Sequence, residues 1–206
     1  MHFQSNPETG DRRTSGSAAS LTGIEAAIES ANPAALEMAI HRLIAGYAII
    51  FGFGGIPLLY MGDELGMVND QSYLEDPSKA EDNRWIHRPA MDWDRVKRAR
   101  NKEGVEGAIF AAFKSLIKAR QRLGSLHAAT GAEVSTLANG ALLIIRRKHA
   151  AGDLIQIYNL SETTHYLERD PLLQPHMYEH ISAEEMKFEQ TIKVPPYSSW
   201  WLTSQH

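Results

Sequence analysis

Two carboxylates stand side by side at Asp63-Glu64, just after the apolar run Ile56-Pro57-Leu58-Leu59-Tyr60. Such a pair can share acid and base work across one bond when the groups face each other about 5–5.5 Å or about 6.5–9.5 Å apart. Neighbours at the end of a strand point to opposite faces, so this pair does not flank one bond. The expected role is that one of the two lines a site or holds the loop by hydrogen bonding. A denser cluster is Asp82-Asn83-Arg84-Trp85-Ile86-His87-Arg88-Pro89. Its Trp85 offers a flat face on which a sugar or a guanidinium can stack. The competing reading is that Trp85 and Trp93 anchor a long loop to the domain body. Asp11-Arg12-Arg13 adds a guanidinium fork able to hold a carboxylate or a sugar hydroxyl, although adjacent arginines in a polar loop are by default solvated.

Other chemistries are bounded by what the sequence lacks. The 9 histidines are read as carrying no metal-ligand pattern, and no metal and no cofactor are expected. No G-x-S-x-G and no G-x-x-x-x-G-K-[ST] occurs. With Cys 0, disulfides, thiolate zinc sites and cysteine nucleophiles fall away together. That composition fits a reducing compartment, and the expected location is cytoplasmic. Lys+Arg 21 against Asp+Glu 25 leaves a net charge of -4, so there is no basic footprint for nucleic acid or an anionic membrane.

These groups need elements to position them. The 206 residues allow one large domain or two small ones. Residues 1–23 are polar, carry Pro7, and read as an irregular loop segment. Nothing in them nucleates a core, as if the chain began inside a larger fold, and no signal peptide is expected. Asn32-Pro33 starts a helix, with Asn as N-cap and Pro in the first helical position. Leu36, Ala39, Ile40, Leu43, Ile44 and Tyr47 continue it at three-to-four spacing. Gly52-Phe53-Gly54-Gly55 stops it. The apolar stretch Leu43–Met61 is broken by glycines and Pro57, so it reads as a helix and then a buried strand rather than a membrane span. Ile56–Tyr60, apolar throughout, has the look of a strand buried on both faces of a parallel sheet. A second helix is expected from about Val105 to Leu123, ended by Gly124.

From Gly131 the period changes to two. Expected strands are Glu133–Leu137, Leu142–Arg147, Leu154–Tyr158, Thr164–Leu167, Thr191–Val194 and Ser199–Leu202, with Asn139-Gly140 and Gly152-Asp153 at turns. Of Trp200-Trp201, alternation puts one in the core and the other at the surface or in interdomain packing.

Gly55-Ile56-Pro57-Leu58-Leu59-Tyr60-Met61-Gly62-Asp63-Glu64-Leu65-Gly66 resembles the last barrel strand and following loop of the α-amylase superfamily, glycoside hydrolase family thirteen. Phe3 to Ala19 is similar to the B′ segment of amylosucrases, and Asp82 to Pro89 to the amylosucrase loop beyond the last strand. The resemblance implies an α/β plus all-β fold: the C-terminal part of a TIM (β/α)8 barrel, then a small antiparallel β-sandwich domain. Residues 1–23 would be the B′-like loop segment, 24–128 the last strand and its flanking helices, and 129–206 the C-terminal β domain. It implies an enzyme that cleaves sucrose through a β-glucosyl-enzyme, passes glucose to an α-1,4-glucan and releases fructose. Arg84 would sit at the floor of the donor pocket with an acidic partner elsewhere, and Gln4 and Arg13 would lie on the acceptor side. The family's catalytic carboxylates lie on earlier barrel strands whose motifs are absent here, so no catalytic residue is assigned and the isolated chain is expected to be inactive. Expected partners are sucrose, α-glucan and a separate N-terminal barrel chain. A sucrose hydrolase or trehalose synthase fragment, or a non-catalytic carbohydrate-binding module, are the alternatives.

Overall fold

A computed structural model describes residues 2–3, 6–11 and 13–204, with His2, Phe3 and Arg13 described by backbone only. The chain divides into two compact units, Met1–Leu43 with Leu59–Phe110, and Ile44–Leu58 with Ala111–His206.

In the first unit β1 (His2–Phe3) pairs antiparallel with β2 (Arg13–Thr14). Three helices follow: α1 (Ala18–Leu21), α2 (Ile24–Glu29) and α3 (Pro33–Gly52), the last running on into the second unit. The polar N-terminal stretch therefore contains a helical turn. Ser17 caps it, accepting from the Ser20 N–H at 3.2 Å. Asn32 caps α3 as its sequence suggests, its Oδ1 accepting from the Ala35 N–H at 3.1 Å. By length and composition α3 could cross a bilayer. Its buried residues Ala39, Leu43, Tyr47 and Phe51 recur at three-to-four spacing, the pattern of a core helix. α4 (Trp93–Arg100) is capped by Asp92, which accepts from Asp94 and Arg95 N–H at 2.9 and 3.2 Å. α5 (Gly104–Arg122) begins here and ends in the second unit. Glu106, buried in its first turn, receives Arg98 at 2.8 Å and Arg95 at 3.3 Å. An acidic group there also complements the helix dipole. Leu65, Met67 and Ala99 form the local core with Met91, Val96 and Phe110.

One expected element is not formed. Residues 56–60 carry no regular structure, with Ile56 98% and Leu58 79% exposed. Every strand pairing among the described residues is antiparallel. The buried parallel strand inferred from Ile56–Tyr60 is thus corrected, and with it the barrel part of the expected α/β fold. The reason is hydrogen bonding. An apolar run becomes a strand only when a neighbour takes up its N–H and C=O groups, and the described residues supply none.

The second unit is mostly antiparallel β structure. β3 (Glu133–Leu137), β4 (Leu142–Arg147), β5 (Leu154–Asn159), β6 (His165–Glu168), β7 (His176–Glu179), β8 (Glu184–Lys187), β9 (Thr191–Val194) and β10 (Ser199–Thr203) make two sheets. One has the order β3-β4-β5-β10-β7-β8 and the other is the pair β6-β9. Leu142, Ile155, Ile157 and Leu202 on one face of the large sheet pack with Leu167, Ile192 and Val194 of the small one. All six residues of β5 are buried, because its opposite face is also covered.

That opposite face closes on the end of α3. Gln156 Nε2 donates to the Gly52 carbonyl at 3.0 Å and to the Tyr158 hydroxyl at 2.9 Å. Trp201 Nε1 donates to the same hydroxyl at 3.0 Å. Arg120 donates to the carbonyls of Phe51 and Gly55, and Arg147 to that of Phe53 and, at 2.7 Å, to that of Thr130. The last carbonyls of a helix lack intrahelical partners and carry negative partial charge, so two guanidiniums and an amide suit them. Trp201 is fully buried, and Trp200 is partly buried against the sandwich core and Phe188.

Candidate functional site

The chemistry-bearing residues of the first unit gather on the loop between Tyr60 and Trp93. A one-turn 3-10 helix, Asp63–Leu65, places its two carboxylates. It is bracketed by Gly62 and Gly66, with φ of 95° and 61°. These are left-handed conformations that suit glycine, and there is no room for more. A Cβ at Gly66 would stand 2.5 Å from Ile109 Cδ1, and one at Gly62 2.9 Å from Met67 Sδ. The two carboxylates take different roles: Asp63 is buried, while Glu64 accepts from the Gly62 N–H at 2.9 Å and so closes its own turn. This is the loop-holding role expected for one of the pair.

Farther along, Asp82 caps the 3-10 helix Asn83–His87 by accepting from the Arg84 N–H at 3.0 Å. The same carboxylate receives the Arg84 side chain at both ends, Nε at 2.8 Å and Nη2 at 2.7 Å. The hydrogen bonds from Arg84 hold the Asp82 carboxyl down from 3.8 to about 2. Arg84 keeps 53% of its side-chain surface exposed. It therefore finds an acidic partner two residues away.

Trp85 carries Lys79 Nζ at 5.2 Å and Arg88 Cζ at 5.3 Å from its ring, so cations already occupy the stacking role. Trp93 is 69% exposed. His87 meets Tyr60 edge-on with centroids 5.9 Å apart. Its Nδ1 is buried without a hydrogen-bond partner among the described residues. Burial first, and then the Arg88 charge, push its pKa below 6.5, against the pull of Asp63 and Asp82. The imidazole is thereby biased toward its neutral form.

Of the sequence-derived site residues, Gln4 lies outside the described residues and Arg13 enters only through the backbone of β2. Only Arg84 can be placed by its side chain. Tyr60 and Lys79 join the cluster without having been singled out as site residues; Lys79 lies close to Trp85 in sequence, but nothing in the sequence marks Tyr60 as a neighbour of His87. His176 and His180 stand in an H-x-x-x-H spacing, which on a helix would put both on one face. Here the spacing starts on β7, where four residues span about 13 Å, too far for a shared ion. Among the described residues no group of three or more His, Asp or Glu could hold a metal.

Residues 118–203 match the family model described as amylosucrase, C-terminal domain. The glucosylglycerate phosphorylase of Escherichia coli (strain K12) is 27% identical over 163 residues, covering 78% of this chain. The chain spans 28% of the length of that curated relative. An Anoxybacillus α-amylase structure superposes with TM-score 0.54 at 16% identity, over 82% of this chain and 33% of that one. AmyP, solved with maltotriose, gives TM-score 0.59 at 14% identity, over 81% and 35%. The structural likenesses show the fold, an antiparallel C-terminal β domain of the α-amylase type with a few helices. Together the matches support the α-amylase superfamily.

Proposed function

We propose that the chain is the C-terminal part of an amylosucrase-like glucosyltransferase, which cleaves sucrose, passes glucose to an α-1,4-glucan and releases fructose. The observation that carries this is the amylosucrase C-terminal match over residues 118–203. The exposed run from Ile56 to Met61 adds to it. A segment whose Ile56 and Leu58 are 98% and 79% exposed needs apolar cover, and a neighbouring barrel strand would supply it. The catalytic carboxylates then come from outside these residues, as a preceding part of one polypeptide or as a separate barrel chain. Arg84 contributes to the donor pocket, with Arg13 and Gln4 toward the acceptor, and the assembled enzyme works in the cytoplasm.

A second reading follows from the phosphorylase relative. The same assembly could pass glucose to phosphate rather than to a glucan. One experiment separates the readings. The chain is incubated with sucrose alone, then with the barrel portion restored, with and without α-glucan or inorganic phosphate. Fructose release only after restoration, with glucan elongation, supports the transferase; glucose 1-phosphate supports the phosphorylase. Fructose release by the 206-residue chain alone refutes both. In the restored enzyme Arg84→Ala should lower kcat/KM for sucrose roughly 10- to 100-fold, the loss of one charged hydrogen-bonding group.

A further inference from the structure

The second unit holds a cavity of 540 Å³ unrelated to the loop cluster. It exists because the sandwich is unequal: six strands on one side, two on the other. Beyond β6 only the β3–β4 end of the large sheet is uncovered. There Ser135 is exposed and Ile144 partly so, next to the buried Ile157, and Ser135 is too small to fill the space. Ile144, Ile155 and Ile157 form an apolar floor, and Leu167, Leu172 and Leu173 a wall. The volume lies within the range of small-ligand sites, which are apolar with a few placed polar groups.

The rim is acidic. Glu133 is paired with Lys148 at 2.6 Å, and the Arg146 guanidinium with Asp153 at 2.6 Å. Glu168 accepts from the Thr191 hydroxyl at 3.0 Å, and Asp170 from the Leu172 N–H at 2.7 Å. Among the described residues neither joins an ion pair. No aromatic ring lines the cavity, so a sugar finds no stacking face there.

We propose that this cavity binds a small organic cation with an apolar body, of the alkylammonium class. The chain lies on the isoleucine floor and the ammonium group faces Glu168 and Asp170. The test is a titration of the full chain with n-butyl-, n-hexyl- and n-octylammonium, followed by the amide NMR signals of Ile144, Ile155 and Ile157. Affinity should rise about fourfold per buried methylene until the cavity is full. Hexanoate should bind at least about tenfold more weakly than hexylammonium, since its charge meets the same carboxylates. Ser135→Phe, which fills the space, should abolish binding. Glu168→Gln with Asp170→Asn, both at exposed positions, should bring the ammonium and the carboxylate to parity without disturbing the core. Equal binding of hexylammonium and hexanoate to the unmodified chain overturns the proposal. So does an affinity indifferent to chain length, or saturation with no shift at the three isoleucines.

Discussion

Replacing Gly52 with alanine sets two effects of opposite sign against each other. Position 52 is the last residue of α3 and its φ lies outside the left-handed region, so helix propensity alone favours alanine by at most about 1 kcal/mol. The packing opposes it. The added Cβ would stand 2.3 Å from Gln156 Nε2, 2.4 Å from the Tyr158 hydroxyl and 3.0 Å from Trp201 Cζ2. Neither polar partner can retreat freely, because each is tied to the other and to α3 carbonyls. Overpacking of this kind costs about 1–3 kcal/mol, and pulling a buried hydrogen bond apart about 1–3 kcal/mol more. The expected net loss is about 3 kcal/mol, a large share of the about 5–15 kcal/mol that holds a domain together. Gly46→Ala is the control. It lies in the same helix with nothing within 4 Å of its added Cβ, and should gain about 0.5–1 kcal/mol. Urea unfolding of both variants, followed by far-UV circular dichroism, measures the contrast. If Gly52→Ala is neutral or stabilising, or the two variants move together, the close approach of the sheet to the helix end is wrong.

Asn32→Ala removes the side-chain acceptor for the Ala35 N–H and should cost about 1 kcal/mol in the same assay; an unchanged midpoint would mean the cap contributes nothing. Arg147→Gln strips the hydrogen bonds to the Phe53 and Thr130 carbonyls from a residue 3% exposed, and should cost about 2 kcal/mol with the denaturant slope preserved. The loop around Asp76 and Asp82 should weaken in acid. Hydrogen bonds from Lys79 and from Arg84 hold these carboxyls at about 2, below the usual 3.8, so the charged form is favoured in the folded chain. Their contribution is present above 3.8 and lost as pH falls toward 2. Carboxyl-carbon NMR titration reads this directly, and midpoints near 3.8 for both would disprove the pairing.

α3 and α5 were legible because each carries a cap or stop signal and apolar residues at helical spacing; Ile109, Phe113 and Leu116 are buried as the spacing requires. Most β strands were legible from alternation and from turns such as Asn139-Gly140. β8 was not. Glu184-Glu185-Met186-Lys187 is an edge strand held by its backbone, with three charges in four residues and no apolar rhythm to betray it. Ile56–Tyr60 erred the other way: composition alone reports apolarity, while a strand needs a neighbour. At the site, loop-holding was one of two roles open to one of Asp63 and Glu64; that Glu64 takes it, from a 3-10 helix rather than a strand end, was not legible. Nor was the capture of Arg84 by Asp82, because which of several nearby acids a guanidinium takes depends on a 3-10 helix that the sequence does not announce.

The end of α3 also has a place in time. Its carbonyls wait for side chains far along the chain: Arg120 lies 69 residues beyond Phe51, Arg147 94 beyond Phe53, and Gln156 104 beyond Gly52. At about 5–20 residues per second, a ribosome needs roughly 5–20 seconds to deliver the last of them. Until they arrive, water satisfies the final turn of α3, while Phe53, Ile56 and Leu58 stay exposed even afterwards. Helix propensity can form the body of α3 early, but its terminus closes only with β4 and β5. Such long-range closure is entropically slow. The amide protons of residues 50–54 should therefore gain protection from exchange together with those of β5, and later than the middle of their own helix.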